Sequence, residues 1–417
     1  MAKIFPFRGW RYSNDIIDQS DVIVPPYDVI SKKEQEVYYN KSKYNYVRVI
    51  LNPAEGDDRY QNAAISLEEW KENGILIQEE QDSIYILSQS FEQFGQKVER
   101  ISCICSLQLT KLGSTVLPHE KTIEKHLRDR LNLMESTAAN TGQIFMCYQD
   151  DEMILESIYS EIKADPVVDV LLSDVHYRLW PIKDKNLVNQ FSGMMANKTL
   201  VIADGHHRYK TALQYAQNNP SLAAASRVMV TLVNGENSGM QILPTHRLIS
   251  RVNLNIDEIE SSLKKFFYTR RFINIKAFLN EWSSGLDLKG MLGLYHRKSD
   301  TGLLLNFKDW DCLETEFPDT SKTLRELETN LLHAFVLKKI FNIDSNRQED
   351  LNLVSYMRGN EPIMEMLKDK YQYDIACIVK PPSLDDVFTI AESGETMPQK
   401  STFFFPKVFS GILTRCF

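Results

Sequence analysis

One short segment constrains the fold of this chain more than any other: residues 203–209, with the sequence A-D-G-H-H-R-Y. The apolar residues 200–202 precede it and predict a buried strand, and residues 209–216 follow with the pattern of an amphipathic helix. Strand and helix patterns keep alternating along the chain. The sequence therefore predicts an α+β, or mixed α/β, fold built around this strand-turn-helix.

The segment places four functional side chains on one turn, Asp204, His206, His207 and Arg208, with Gly205 between them. Asp204 stands where a helix N-cap is expected, and Gly205 lets the backbone turn sharply or approach a ligand closely. Unpaired N–H groups at a helix start, together with an arginine, favour an anion, phosphate above all. Asp204 could also hold Mg²⁺ or polarise a hydroxyl group.

A purely structural interpretation competes with this one. Asp204 could only cap the helix, the histidines could only pack, and Arg208 could be solvated. We favour a site because these side chains crowd onto one turn. A zinc site is a weaker interpretation: adjacent helical residues point about 100° apart, so His206 and His207 cannot easily share one metal.

The composition is ordinary for a globular protein. The chain has 417 residues, 43% hydrophobic and 25% charged, which suffices for two lobes. We place a core lobe with the main motifs at residues 1–250 and a C-terminal α/β lobe at residues 251–417. The net charge of −8 argues against broad nucleic-acid binding. Short apolar runs, no signal-peptide pattern and six cysteines without paired metal spacing indicate a cytoplasmic protein with reduced thiols and no membrane partner.

Both ends of the sequence carry further anion-binding candidates. Arg8 and Arg11 stand among aromatic residues in P-F-R-G-W-R-Y, ahead of V-P-P-Y-D-V-I at residues 24–30. Lys400 and Ser401 stand in M-P-Q-K-S-T-F-F-F-P-K and could bind phosphate. For the first segment, a rigid loop packed on the core is an equally good interpretation.

Two more motifs bring imidazoles next to charged groups. His119 and Glu120, in P-H-E-K-T, resemble a general acid/base pair, although acidic residues also favour helix starts for electrostatic reasons alone. His246 and Arg247, in L-P-T-H-R, lie beside a proline-fixed turn. An edge strand with polar surface residues would explain the second pair equally well.

The other patterns predict ordinary elements. Residues 47–51 predict a strand, and residues 84–87 and 101–107 predict two strands of a hairpin. Residues 255–282 show a helical pattern, and residues 323–341 predict one long helix.

Taken together, the motifs resemble those of a known family. Motifs P-F-R-G-W-R-Y, V-P-P-Y-D-V-I, P-H-E-K-T, A-D-G-H-H-R-Y, L-P-T-H-R and M-P-Q-K-S-T-F-F-F-P-K occur in order from Phe5 to Lys407. They identify the chain as similar to the bacterial and archaeal "domain of unknown function" family numbered 1015. That resemblance by itself implies little about chemistry.

A second, shorter resemblance implies a function. Residues 204–208 are similar to the D-G-x-x-R segment of the ParB-like group, which includes ParB nucleotide switches, sulfiredoxin and the ADP-dependent free-serine kinase. It implies a ParB/sulfiredoxin-like core with an additional α/β lobe. It also implies a phosphate-binding role for Gly205, His206, His207 and Arg208. The kinase relative suggests phosphoryl transfer to or from the hydroxyl of serine, or phosphoserine hydrolysis.

Our leading hypothesis is an enzyme that moves a phosphoryl group between a phosphate donor, such as a nucleotide or pyrophosphate, and serine. Arg8, Arg208 and the backbone of Gly205 would neutralise charge, and Asp204 would hold Mg²⁺ or accept the hydroxyl proton. Glu120 is the other acidic candidate. A nucleotide-binding regulatory switch without turnover is the alternative, and a phosphatase unrelated to serine is a third. The surplus of acid/base candidates favours an enzyme.

Overall fold

The computed structural model describes residues 1–93, 95–120, 125–286, 288–344, 347, 350–358, 363, 367 and 372–417. The chain divides into two compact units. Unit 1 comprises residues 1–118, 122–241 and 406–417, and unit 2 comprises residues 119–121 and 242–405. The units therefore alternate along the sequence, unlike the predicted lobes, which divide once after residue 250.

A large mixed sheet forms the centre of unit 1. Nine of its strands lie within the described residues. Eight of them follow one another in space in this order: Val116–Pro118, Leu200–Asp204, Ile144–Tyr148, Arg227–Asn234, Gln96–Gln108, Ile84–Gln93, Val175–Ile182 and Val168–Leu172. The ninth strand, Ile4–Phe5, pairs with Gln96–Gln108. Strand Leu200–Asp204 pairs in parallel with Val116–Pro118 as far as Ile202, and in antiparallel with Ile144–Tyr148 as far as Asp204, which lies opposite Phe145.

Helices pack around this sheet. The α-helices of unit 1 are Lys32–Lys41, Val47–Ile50, Asp58–Glu72, Lys125–Thr137, Ile154–Ser160, Lys185–Met195 and His206–Asn218. Short 3₁₀ helices are Gln19–Asp21, Tyr27–Val29 and Ala223–Ser226, and the remaining short strands are Trp10–Tyr12, Leu76–Gln78, Ala139–Asn140 and Arg415–Cys416. Among the described helices of both units, none has the length and apolar character needed to cross a membrane.

The predicted hairpin is confirmed and is longer than its apolar runs suggested. Strands Ile84–Gln93 and Gln96–Gln108 pair in antiparallel from Tyr85 opposite Ile104 to Gln93 opposite Gln96. Cys103 and Cys105, two residues apart on one strand, both join the buried core of unit 1.

Unit 2 is built on a six-stranded sheet whose two faces bury different clusters. Its strands lie in the order Phe267–Ile273, Thr301–Phe307, Met291–His296, Ile375–Ile378, Thr245–Ile249 and Val354–Arg358. Leu303 and Leu305 pack into one cluster, whereas Leu304 packs into the other. That alternation follows from the two-residue period of a strand that is buried on both faces.

The helical segments of unit 2 are short. They are Ile256–Leu263, Ile275–Ser284, Arg297–Ser299, Cys312–Glu316, Lys322–Arg325, Glu328–Leu331, Leu332–Lys338, Asp350–Asn352 and Leu384–Glu392. Leu332–Lys338 is π-helical. Two further short strands are Gln241–Leu243 and Phe403–Phe405. Both units combine helices with sheets, so the predicted mixed α/β fold class is confirmed.

Three predictions of local structure were wrong. Residues 47–51 contain the helix Val47–Ile50 instead of a strand. The pattern over residues 255–282 is two helices separated by the strand Phe267–Ile273. The predicted helix over residues 323–341 is broken into shorter segments, the last of them π-helical. Short apolar runs do not distinguish a strand from a buried helix, and a long helical period does not reveal an interruption.

Two glycines provide a test of the packing in unit 1. A Cβ on Gly239 would lie 2.4 Å from the carbonyl oxygen of Glu99 and 2.5 Å from Cα of Arg100, both of which are backbone atoms. Nothing lies within 4 Å of the corresponding position at Gly193, inside helix Lys185–Met195. We predict that Gly239→Ala lowers the free energy of unfolding by about 1–3 kcal/mol. Gly193→Ala should raise it by about 0.5–1 kcal/mol. Urea unfolding followed by circular dichroism measures both changes, and equal effects would contradict this account.

Candidate functional site

The strand-turn-helix predicted from the sequence is present, but Asp204 does not cap the helix. Asp204 is the last residue of strand Leu200–Asp204, and Gly205 takes the N-cap position of helix His206–Asn218 with φ of 96°. Because the N-cap residue is a glycine, it contributes no side-chain hydrogen bond to the helix start. The capping interpretation of Asp204 was therefore wrong, and its carboxylate serves another purpose.

Asp204 forms ion pairs with two cations. Its Oδ2 lies 2.5 Å from Nη2 of Arg208, and its Oδ1 lies 2.9 Å from Nζ of Lys407. The carboxylate is only 18% exposed, and the two cationic side chains are 15% and 12% exposed. One carboxylate and two cations leave this group, which we call the Asp204 cluster, with an excess of one positive charge.

The cluster keeps Asp204 ionised. Burial alone would raise the pKa of the carboxyl, but the charges of Lys407 and Arg208 and a hydrogen bond from Lys407 lower it well below its usual value. A carboxylate with a depressed pKa is a poor general base. Both of its oxygens are also engaged.

Gly205 is required by its backbone and by its neighbour. Its φ of 96° is a conformation that residues with a side chain rarely adopt. A Cβ there would also lie 3.0 Å from Nε of Arg208. The glycine thus lets the Arg208 guanidinium fold back against the turn. From there the guanidinium reaches Asp204 and donates a hydrogen bond to the carbonyl oxygen of Gln143.

Lys407 is positioned by buried polar side chains of the sheet. Its carbonyl oxygen accepts hydrogen bonds from Nε2 of Gln89 at 3.0 Å and from the hydroxyl of Tyr177 at 3.1 Å. The carbonyl of the preceding Pro406 accepts one from Arg100, which is fully buried and also donates to Gln89. The backbone that carries Lys407 is therefore fixed by the core of unit 1.

A cleft lies beside Arg208 in unit 1 and brings a second motif to the Asp204 cluster. Tyr27, from V-P-P-Y-D-V-I, lines this cleft together with Arg130, Gly142, Arg208 and Ser410. The Arg130 guanidinium lies over the Tyr27 ring, 4.1 Å from its centre. Burial raises the pKa of Tyr27, and the nearby arginines only partly oppose this. The Tyr27 hydroxyl therefore stays neutral at pH 7.

His206 and His207 are the first two residues of the helix and are half-buried. The charge of His206 also acts on the Asp204 carboxyl, which places that imidazole near the cluster. Asp204, Gly205, His206 and Arg208 thus lie together at this turn, and their roles as site residues remain predictions.

The side chains of Arg8 and Arg11 both contact Glu79. Nε of Arg11 lies 2.8 Å from Oε1 of Glu79, and Nε of Arg8 donates to the Glu79 carbonyl oxygen at 2.9 Å. Lys183 also pairs with the Glu79 carboxylate, at 3.4 Å. The contacts of Arg11 are those of a structural ion pair, so its anion-binding role remains a prediction.

The other candidates lie in unit 2. Nε2 of His119 is 2.8 Å from Oγ1 of Thr402, and Glu120 forms a backbone bridge with Met397. His246 and Arg247 are buried on the interior strand Thr245–Ile249, so their interpretation as surface residues of an edge strand was wrong. Ser401 is buried and donates to the carbonyl oxygen of Pro398. Lys400 adopts φ of 59°. Lys121 and Thr122 of P-H-E-K-T lie outside the described residues.

Comparison with protein-family models identifies the family to which this chain belongs. The model of a family described as a protein of unknown function, DUF1015, matches residues 4–330. This chain belongs to the DUF1015 family. The predicted membership is thereby confirmed.

Solved structures show similarity at low identity. A mutant of free serine kinase in complex with ADP is 11% identical, with a TM-score of 0.36, over 70% of this chain and 84% of that chain. A conserved hypothetical protein from Pyrococcus furiosus is 12% identical, with a TM-score of 0.32, over 70% and 88%. SbnI with a C-terminal truncation from Staphylococcus aureus is 10% identical, with a TM-score of 0.32, over 73% and 79%. No curated protein matched the DUF1015 chain.

The surroundings of Asp204 do not fit the Mg²⁺ site expected there. Magnesium prefers several oxygen ligands, whereas both Asp204 oxygens are paired with cations. Among the described residues, no three His, Cys, Asp or Glu side chains group in a way that could hold a metal ion. We therefore assign Asp204 the role of holding Arg208 and Lys407 in place.

Sequence reasoning overlooked three residues of this site. Tyr27 and Lys407 stand inside quoted motifs, and their proximity to candidate residues was the available signal. Arg130 lies in the charged helix Lys125–Thr137, and none of the quoted motifs includes it. Nothing in the sequence indicates that Lys407 pairs with a residue 203 positions away.

The Asp204 cluster predicts a pH-dependent stability. The depressed pKa of Asp204 contributes stability that is present above the unfolded pKa, about 3.9, and is lost as the pH falls below it. Lys407→Met removes much of this contribution. We predict that it lowers the free energy of unfolding by about 1–3 kcal/mol at pH 7, and that the difference from wild type shrinks below about pH 4.

Urea titrations at pH 7, 5 and 3.5 would measure this difference. Lys111→Met, on an exposed lysine, serves as the matched control and should change the unfolding free energy by less than about 0.5 kcal/mol. A Lys407→Met effect that stays constant across these pH values would show that the ion pair is not its origin.

Proposed function

We propose that this DUF1015 chain catalyses phosphoryl transfer between a phosphate donor and a small hydroxy amino acid, most directly serine or phosphoserine. The observation that carries the proposal is the Asp204 cluster: two largely buried cations held by one carboxylate at the start of a helix.

The cluster supports phosphate binding for electrostatic reasons. Its excess positive charge and the start of helix His206–Asn218 both attract an anion. Arg208 offers planar donors that match phosphate oxygens, and Lys407 adds a point charge. A phosphate would contact the same two cations as Asp204 does. Asp204 holds them in place before the ligand arrives, so little reorganisation would be required.

Phosphoryl transfer needs this arrangement more than it needs a covalent intermediate. The bond from phosphorus to the leaving oxygen breaks while a bond to the accepting hydroxyl oxygen forms, and negative charge spreads over the oxygens between them. Arg208 and Lys407 would stabilise that charge. The proton of the accepting hydroxyl needs a base. His206 and His207, beside the helix start, are better candidates for it than the strongly acidic Asp204.

The choice of serine rests on the resemblance of residues 204–208 to the ParB-like group, since the cluster itself recognises only phosphate. A nucleotide or pyrophosphate would serve as donor in one direction, and water would accept the phosphoryl group from phosphoserine in the other. Tyr27, covered by Arg130, adds a half-buried aromatic ring to the cleft next to Arg208.

A second candidate is a nucleotide-binding switch without turnover. One observation favours it: Asp204 has neither an unengaged oxygen nor a pKa suited to a base, so the cluster by itself binds phosphate without activating a hydroxyl.

Phosphorus NMR separates the two candidates. Purified protein with Mg²⁺ is incubated with L-serine and ADP, ATP or pyrophosphate, and separately with O-phospho-L-serine. A phosphoserine signal that appears or disappears supports transfer and gives its direction. Broadened nucleotide signals without product support the switch. No change in either sample contradicts both candidates.

Variants test the role assigned to the cations. We predict that Arg208→Met and Lys407→Met each lower the turnover rate at least about a hundredfold, because each removes a charge that stabilises the transferred phosphoryl group. Arg208→Lys should recover only part of the loss, since lysine lacks the planar fork. Exposed Arg270→Met and Lys111→Met are the matched controls and should keep the wild-type rate. Full activity in folded Arg208→Met would refute the assignment.

A further inference from the structure

Unit 2 contains a buried guanidinium that pairs with no carboxylate of the described residues. Arg247 is 0% exposed and lies on strand Thr245–Ile249, between strands Val354–Arg358 and Ile375–Ile378. Among the described residues, it donates hydrogen bonds to the carbonyl oxygens of Thr245 and Gln399. Buried charges in proteins are usually paired, because removing a charge from water costs several kcal/mol.

One edge of this guanidinium is nearly unused. Nη1 donates to Thr245, Nη2 lies 3.5 Å from the Gln399 oxygen, and Nε has no hydrogen-bond partner among the described residues. Nε–H and Nη2–H point from the same edge of the planar group. Two parallel donors of this kind fit two oxygens of a carboxylate or phosphate.

Two imidazoles near Arg247 also carry buried nitrogens without partners. Nδ1 of His246 accepts a hydrogen bond from the backbone N–H of Val379, so its Nε2 carries the proton when the ring is neutral. That Nε2, and Nε2 of His333, are buried and have no partner among the described residues. His246 and Arg247 are consecutive on their strand, so their side chains lie on opposite faces of the sheet. His333 is therefore the imidazole that can share a ligand with Arg247.

A cavity within unit 2 lies next to these groups. The Tyr356 ring is 5.7 Å from the Arg247 guanidinium carbon, and Gln399 contacts Nη2. Tyr356, Gln399 and His333 all line the cavity. A ligand in it would meet the unused edge of Arg247 once Gln399 gives up its long hydrogen bond.

The backbone around the cavity is irregular in the way that binding sites often are. His333 belongs to the π-helical segment Leu332–Lys338, and π-helical turns occur frequently at functional sites. Lys400, next to Gln399, holds φ of 59°, which is uncommon for a residue with a side chain.

We propose that unit 2 binds a small oxyanion, a phosphate or a carboxylate group, on the Nε–Nη2 edge of Arg247 with His333 beside it. This site belongs to unit 2 alone and does not depend on the activity proposed for the Asp204 cluster.

The charges around the cavity suit such a ligand. Asp344 and Glu316 line it, but Lys338 lies 3.9 Å from Asp344 and Lys339 lies 2.5 Å from Glu316. Glu120 also raises the pKa of Arg247, by less than Tyr356 or Cys377 does. Burial, and then the charge of Arg247, lower the pKa of His246 and of His333 to about 3. An oxyanion would offset the charge of Arg247 and raise both values.

Imidazole NMR on the full chain tests the proposal. The protein contains eight histidines, so ¹⁵N-histidine labelling gives a simple spectrum, and His246→Gln and His333→Gln assign the two signals. Sodium phosphate is titrated in one arm and sodium acetate in another, against sodium chloride of equal ionic strength. We predict that phosphate, acetate or both shift the His246 and His333 signals, whereas chloride does not. A response to phosphate alone or to acetate alone identifies the ligand group.

Arg247→Lys is the decisive variant, because it keeps the charge but loses the two-donor edge. We expect it to weaken the saturable response at least about tenfold. Arg208→Lys should leave the His246 and His333 responses unchanged, which separates this site from the Asp204 cluster. Failure of both anions to shift the two signals in wild type, or a full response in Arg247→Lys, would overturn the proposal. If Arg247→Lys does not fold, the wild-type titration decides alone.

Discussion

The paired carboxylate of Asp204 is the interaction on which the candidate site depends. It joins three parts of unit 1: the end of strand Leu200–Asp204, the first turn of helix His206–Asn218, and residues 406–417. Arg208 and Lys407, which contact the same carboxylate, would repel each other without that carboxylate between them. Asp204 therefore makes a dense positive charge compatible with a folded protein. A phosphate would contact the same two cations as Asp204 does.

The local parts of this site follow from the sequence. An apolar run, a glycine and a helical period predicted the strand-turn-helix, and Gly205 takes the left-handed conformation that such a turn needs. What the sequence could not predict is the use of Asp204. A carboxylate before a helix is usually a cap, and only the position of Lys407, 203 residues later, shows otherwise. Pairings across such separations depend on the whole fold.

Secondary structure was predictable from the sequence where the spacing of the buried apolar residues matches the period of the element they form. The hairpin of Ile84–Gln93 and Gln96–Gln108 was predicted because each of its strands contains an apolar run bounded by polar residues. Residues 47–51 form a helix because tertiary packing outweighs the β preference of valine and isoleucine, and Val47, Val49 and Ile50 are all buried in it. In unit 2, the sequence keeps a helical period across residues 255–282 and 323–341, although both segments are interrupted in the structure.

The alternation of the two units along the sequence has a consequence for the order of assembly. Residues 242–405 are synthesised before Lys407, yet Lys407 belongs to unit 1. During translation, Asp204 and Arg208 are made first. The ion pair between Asp204 and Lys407 cannot form until almost the whole of unit 2 has been synthesised. Likewise, the hydrogen bonds from Arg100, Gln89 and Tyr177 to the carbonyl oxygens of Pro406 and Lys407 form only after those two residues are made. The Asp204 cluster of a nascent chain is thus incomplete until the intervening residues have been made.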